Sequence, residues 1–175
     1  FMEYSIRQVD YKNGCGDRIV LCLGFFDCVH RGHNSLIQRA KLFAKIDYAK
    51  SAVFTFCGNP FSGLGRGDKE IFTYEERTFR LWQLGVDIVV KSVPDEKFFS
   101  TSPEGFLDGL FDKFNISAII AGSDFTYGAG AQGNAETLKN YCKEHGADCY
   151  IVDMVEYAEG KKIASREIRE MVKIG

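Results

Sequence analysis

The chain has no apolar run approaching the roughly 18 residues of a membrane span, and its opening stretch "FMEYSIRQVD" fits neither a signal peptide nor an amphipathic transit sequence. These absences point to a cytoplasmic protein with no membrane association. It also lacks a basic surplus: 22 Lys and Arg stand against 24 Asp and Glu, a formal charge of −2. Binding to a phosphate backbone needs a positive face, so a general affinity for nucleic acid is not expected. The six cysteines, Cys15, Cys22, Cys28, Cys57, Cys142 and Cys149, contain no C-x-x-C pair, and several sit in apolar strand-like runs. This is the usage of free thiols in a reducing compartment, not of a disulfide framework. Linkers and internal repeats are missing too. With 45% hydrophobic and 26% charged residues, the 175-residue chain reads as one ordinary globular domain over residues 2–175, Met2 being the natural start and Phe1 set aside.

What is present is alternation. Short apolar runs rich in β-branched or aromatic residues, at 18–24, 51–56, 86–91, 116–121 and 148–152, are each nearly continuous, as in parallel strands covered on both faces. Between them, Leu36, Ile37, Ala40, Phe43 and Ala44 recur at helical spacing. "TYEERTFRLWQLG" pairs Thr73 with Glu76 as a capping box and has Gly85 as its stop. "SPEGFLDGLFDKF" opens with Ser102 as N-cap and Pro103 at the first helical position, with Phe106, Leu107, Leu110, Phe111 and Phe114 as its buried stripe. "AETLKNYCKEH", closed by Gly146, and a final "SREIREMVK" complete the helices. The expected fold is α/β: a doubly wound, five-stranded parallel sheet of Rossmann-like type, with right-handed crossovers and a ligand beyond the strand carboxyl ends. Two long loops, "CGNPFSGLGRGDKEIF" and "GSDFTYGAGAQGN", leave that side.

The first strand runs directly into "GFFDCVHRGH", which sets His30 and His33 three residues apart around Arg31 and Gly32. Gly32 permits a tight entry into a helix beginning near His33. A helix N-terminus carries roughly half an elementary positive charge and unpaired N–H donors, which attract phosphate, and imidazoles beside it can donate to phosphoryl oxygens. Taken singly, the same histidines read as a surface-loop residue and a first-turn residue. A zinc site drawing on Cys28, His30 and His33 lacks a distant matched pair of ligands, and a Cys28 nucleophile lacks an orienting partner.

"GFFDCVHRGH" resembles the G-x-F-D-x-x-H-x-G-H signature of the nucleotidylyltransferase superfamily, in particular the FMN adenylyltransferase module of bacterial bifunctional riboflavin kinase/FAD synthetases. Four further stretches resemble that module in order: "VFTFCGNPF", "EERTFRLWQLGVDIVV", "IIAGSDFTYGAGAQGN" and "KKIASREIRE". Together they span nearly the whole chain.

The resemblance implies attack by the FMN phosphate on the α-phosphorus of ATP, forming FAD and pyrophosphate with no covalent enzyme intermediate. It places His30 and His33 on the ATP phosphates as stabilisers of developing charge, and Arg169 on the β- and γ-phosphates beside Ser165. Gly24, Phe25 and Gly32 fall on the ATP side, and Asp27 braces the turn. Asp124, Phe61 and Tyr127 fall on the flavin side, where the two long loops supply an aromatic slot. Magnesium is implied as the companion of ATP, with no protein ligand assigned.

The chain departs from the family pattern at Gly58-Asn59-Pro60, where Pro-His-Pro is usual, and at Ala164 and Arg166, where Ser and Thr are usual. These changes bear on efficiency and acceptor identity. It stops soon after "IREMVKIG", where bifunctional enzymes continue into a riboflavin kinase domain, so the expectation is a chain without that domain, either a truncated bifunctional enzyme or a stand-alone module. Two rival readings stay open: a nucleotidylyltransferase for another small phosphorylated acceptor, and a flavin- or nucleotide-binding protein with little turnover.

Overall fold

The computed structural model describes residues 3–27, 29, 31–60 and 70–153, with the backbone of 156–157 and 161–162. In chain order the elements are β1 (Arg7–Asp10), β2 (Cys15–Leu23), α1 (Arg31–Ile46), β3 (Lys50–Phe56), α2 (Tyr74–Gln83), β4 (Ile88–Ser92), α3 (Glu96–Phe99), α4 (Pro103–Lys113), β5 (Phe114–Gly122), a 3-10 turn (Ala129–Ala131), α5 (Ala135–Glu144) and β6 (Asp148–Val152). A small antiparallel pair, β7 (Glu156–Tyr157) with β8 (Lys161–Lys162), follows.

Strands β1 to β6 form one parallel sheet in the order β1-β4-β3-β2-β5-β6. Successive side chains of a strand face opposite ways, and here the two faces build two cores. Ile19, Leu21 and Leu23 join Phe54 and Val90 beneath Phe106, Leu107 and Leu110 of α4 and Leu138 of α5. Val20 and Cys22 join Val53, Val89 and Ile120 beneath Leu36, Ile37, Ala40 and Ala44 of α1. Covered on both sides, Ile19 to Leu23 are at most 1% exposed, which is why the run is continuously apolar.

The path of the chain fixes where a ligand fits. From β2 it winds to β3 and β4, then returns to the other side of β2 as β5 and continues to β6. The winding direction reverses between β2 and β5, and the carboxyl ends beside that reversal are where open α/β sheets bind ligands.

Local signals set the helix ends. Thr73 Oγ1 accepts from Glu76 N while Thr73 N donates to the Glu76 carboxylate, the expected capping box of α2. Ser102 accepts from Gly105 N at the start of α4, with Pro103 as its first residue. The expected strand at 148–152 is β6 without change.

Several expectations need correction. Among the described residues the sheet has six strands, where the sequence pattern gives five. The additional one, β1, is a short edge strand of sequence RQVD in which only Val9 is buried, so it carries no apolar run. Phe114, read as the last residue of a helical stripe, instead opens β5 in extended conformation while keeping its side chain buried. β4 starts at Ile88, two residues after the expected Val86, whose N–H closes the end of α2 on Leu81 O. α1 begins at Arg31, ahead of His33. The one-turn α3, capped by Asp95, was absent from the sequence reading. The final "SREIREMVK" helix lies outside the described residues.

Candidate active site

The carboxyl ends of β2, β3 and β5 open into a cavity of about 570 Å³. Sites for small molecules and cofactors usually fall between about 300 and 1,000 Å³. One end is formed by Gly24, Phe25 and His33, where β2 turns into α1. Phe54, Phe98 and Phe106 line it as well, as do Asp124, Phe125 and Tyr127 from the loop after β5, and the Phe25 ring lies 5.9 Å from that of Phe56.

The turn after β2 is held in an uncommon backbone shape. Phe26 is fully buried with φ +57°, a left-handed conformation that a bulky residue adopts only when its surroundings fix it. Its ring lies under Gly24, where a Cβ would approach Phe26 Cε2 to 3.0 Å. The His33 imidazole, 9% exposed, rests on the same ring at 4.7 Å between centroids. Thr55 Oγ1 donates to Phe25 O at 2.8 Å, tying the turn to β3.

Beneath the turn are two fully buried charged side chains. Asp27 Oδ1 accepts from Ile71 N at 2.8 Å and faces Arg77 Nη1 at 3.8 Å. Arg77 Nη2 donates to Phe56 O at 3.0 Å and reaches the Glu70 carboxylate at 3.4 Å. Its guanidinium also lies 4.7 Å over the Phe25 ring. Burial pushes the Arg77 pKa down, and the negative charges of Glu70 and Asp27 oppose that shift.

The wall is aromatic. The Phe54 ring packs edge-on to Phe106 at 5.5 Å and Phe56 edge-on to Phe98 at 5.2 Å, with Phe98 against Phe106 at 5.7 Å. The Phe125 and Tyr127 rings stack at 5.7 Å with a 16° interplanar angle. Tyr127 is fixed at its far end, where its hydroxyl lies 2.9 Å from Thr137 Oγ1. Two glycines let the loop take this form. A Cβ on Gly133 would meet the Tyr127 ring at 2.6 Å, and Gly128, at φ +75°, leaves no room for a Cβ against Pro103 N at 2.5 Å.

Of the residues picked from sequence, Gly24, Phe25, His33, Asp124 and Tyr127 line this one cavity. Gly32 is buried in the first turn of α1. His30, Phe61, Ser165 and Arg169 lie outside the described residues, as do Cys28, Ala164 and Arg166. Asp27 braces the turn as expected, through Ile71 N and Arg77. The sequence reading missed Phe54, Phe56, Phe98, Phe99 and Phe106 as wall residues. The pair Phe54 and Phe56, sharing one face at a strand end, is the signal that would have found two of them. Arg77 was missed as well, hidden in a helix otherwise read for its cap. Among the described residues, no group of three or more His, Cys, Asp or Glu side chains is placed to hold a metal ion. Nor is any described helix long and apolar enough to cross a membrane.

Comparison with known proteins agrees with this architecture. A family model described as FAD synthetase matches residues 13–167. Over 160 residues the chain is 35% identical to a bifunctional riboflavin kinase/FMN adenylyltransferase of Bacillus subtilis, covering 89% of this chain and 50% of that protein. A FAD synthetase of Listeria monocytogenes is 28% identical over 159 residues, covering 89% of this chain and 64% of the relative. The crystal structure of a macrolide-efflux protein from Streptococcus pneumoniae superposes with a TM-score of 0.83 at 30% identity, covering 96% of this chain and 58% of that one. The chain thus spans about half the length of the B. subtilis relative. With the family match running from the start of β2 past β8, over a Rossmann-like sheet and a cavity at its switch point, the chain belongs to the FAD synthetase family.

Proposed function

We propose that the chain transfers AMP from ATP to the phosphate of FMN, forming FAD and pyrophosphate. The observation that carries this reading is the lining of one cavity, which combines His33 from the first turns of α1 with a set of aromatic rings. Phosphates suit the first, since the N–H donors and the dipole of the 16-residue α1 favour negative charge. A planar tricyclic ring suits the second, where stacked and edge-on partners are available. The two substrates would meet with the FMN phosphate directed at the α-phosphorus.

In such a displacement the protein supplies positioning and charge stabilisation. His33, seated on Phe26, would present its imidazole to the transferring phosphoryl group. His30, Ser165 and Arg169 are assigned by resemblance to the same phosphates, and Phe61 to the flavin. Asp124 and Tyr127, which line the cavity, are assigned by the same resemblance to the flavin. Magnesium would enter on the triphosphate, where substrate oxygens and water supply most of the octahedral shell it requires. FMN itself comes from phosphorylation of riboflavin, the other activity in the relatives' names, and a kinase domain supplying it is the partner we propose. The free thiols Cys15, Cys22, Cys57, Cys142 and Cys149 support a cytoplasmic setting.

The test is an incubation with ATP, FMN and magnesium, reading FAD by chromatography and pyrophosphate by a coupled assay, with riboflavin, NMN and CTP as controls. FAD and pyrophosphate appearing together, and only with FMN, is the expected result. Pyrophosphate with another acceptor would change the substrate, and bound flavin without pyrophosphate would make the chain a binding protein.

A further inference from the structure

We infer that Arg77 is a positioning residue for the nucleotide end of the cavity, acting through the turn after β2. The inference rests on the reading that this end takes the ATP phosphates. Arg77 sits on α2 with its side chain fully buried, and its contacts lie on three separate segments. It packs over the Phe25 ring and faces Asp27 in the turn. It donates to Phe56 O at the end of β3. It reaches Glu70, next to Ile71, whose N–H is held by the same Asp27.

A buried ion pair is a poor source of stability, because desolvating two charges offsets most of their attraction. A hydrophobic side chain of similar volume would fill the space at less cost. What it would lack is the Nη2 donor, which meets both the Phe56 carbonyl and the Glu70 carboxylate, and a cation facing Asp27, while the flat guanidinium fork covers a ring. The arrangement therefore sets geometry. Phe25 is covered on its ring by Arg77 and held on its carbonyl by Thr55 Oγ1, and Asp27 is hydrogen-bonded by Ile71 N and faces the Arg77 charge at 3.8 Å. Between those two anchored residues lies Phe26 at φ +57°, the platform under His33. Loosening Arg77 removes one hold on each neighbour of this strained residue and leaves those of Thr55 and Ile71 N, so the turn stays folded while the imidazole and the adjoining N–H donors lose their exact aim. Of the aromatic wall only Phe56 touches Arg77, through its backbone carbonyl, while Phe98, Phe106 and Tyr127 stand on other elements.

Two variants separate positioning from support. Arg77→Lys keeps the charge and removes the fork. Arg77→Met combined with Asp27→Asn removes the two fully buried charges, keeps an oxygen for Ile71 N and leaves Glu70, which is partly exposed, to solvent; exchanging a buried pair for neutral groups of similar volume is often neutral for stability. Urea unfolding, calorimetric binding of ATP and of FMN, and steady-state kinetics are measured on each. The expected result is unfolding close to the parent and FMN binding within about twofold. ATP binding weakens about tenfold, from lost preorganisation, and kcat falls about 10²-fold, as for a small misplacement of reacting groups. Folded variants that bind ATP and turn over like the parent would overturn the inference, as would loss of FMN binding in parallel with ATP binding. A parent that binds ATP but forms no FAD removes the proposed reaction and leaves Arg77 judged on ATP affinity. A parent that binds no ATP overturns both.

Discussion

The Phe26 and His33 rings meet at 4.7 Å between centroids, and the residue that makes this contact holds a left-handed backbone at φ +57°. A bulky side chain in that conformation costs roughly 1–2 kcal/mol, which the buried ring must more than offset. The platform under the imidazole is therefore bought with strain, and both residues can be tested separately.

His33→Ala removes the donor and leaves the platform. Turnover should fall by about 10²–10³-fold, the usual loss for one group that stabilises developing charge, at a cost in folding stability of about 1 kcal/mol. Phe26→Ala should be different in kind, losing roughly 3–5 kcal/mol of stability because a fully buried ring is deleted. Steady-state kinetics and urea unfolding on the two variants check both expectations.

Gly133 and Gly146 provide a matched pair. A Cβ at Gly133 meets the Tyr127 ring at 2.6 Å, whereas one at Gly146, with φ +72°, meets nothing within 4 Å. Gly133→Ala should displace Tyr127 and weaken FMN binding by about tenfold, a loss of about 1.4 kcal/mol. Gly146→Ala should cost about 1 kcal/mol of stability through its backbone alone and leave flavin affinity untouched. Flavin fluorescence titration distinguishes them.

Stability should fall in alkali. Burial raises the phenol pKa values of Tyr74 and Tyr127, so the folded state holds these protons more tightly than the unfolded chain does. Their contribution is complete below the unfolded value of about 10 and is lost as pH climbs through the raised folded values. Tyr127→Phe should give up about 1 kcal/mol at neutral pH, the worth of one hydrogen bond, and show a shallower alkaline decline. Urea midpoints at neutral and alkaline pH measure both effects.

The thiols should differ in reactivity. Cys22, buried in β2, has its pKa raised by desolvation. The neighbouring thiols Cys142 and Cys149 push each other's pKa apart, up for Cys142 and down for Cys149, with Lys139 adding to the second effect. Iodoacetamide at mildly alkaline pH should label Cys149 well ahead of Cys22 and Cys142, as read by peptide mass spectrometry, and Cys142→Ala should slow that labelling.

The central part of this fold is written locally in the sequence, and the edges are not. β2 and β5 are buried on both faces and show as unbroken apolar runs, whereas β1 needs β4 beside it before its single buried Val9 has any meaning. Thr73, Ser102 and Pro103 act within one helical turn, so their signals survive in the linear chain. At the site, Gly24, Phe25, His33, Asp124 and Tyr127 were legible because they fall in recognisable stretches. The phenylalanines of the wall come from β3, α3 and α4, which only the folded sheet brings together. Arg77 was hidden for the same reason: its partners are separated from it by 7, 21 and 50 positions in the chain, at Glu70, Phe56 and Asp27.

The strand that delivers the His33 turn has a partner on each side, β3 and β5, and helices on both faces. Amide hydrogens of Val20 to Cys22 should then exchange with solvent only when the whole molecule unfolds, whereas those of residues 123–133, at the cavity mouth, open on their own. The turn that carries His33 would then be rooted in the slowest-exchanging part of the protein, and the loop that carries Asp124 and Tyr127 would exchange ahead of it.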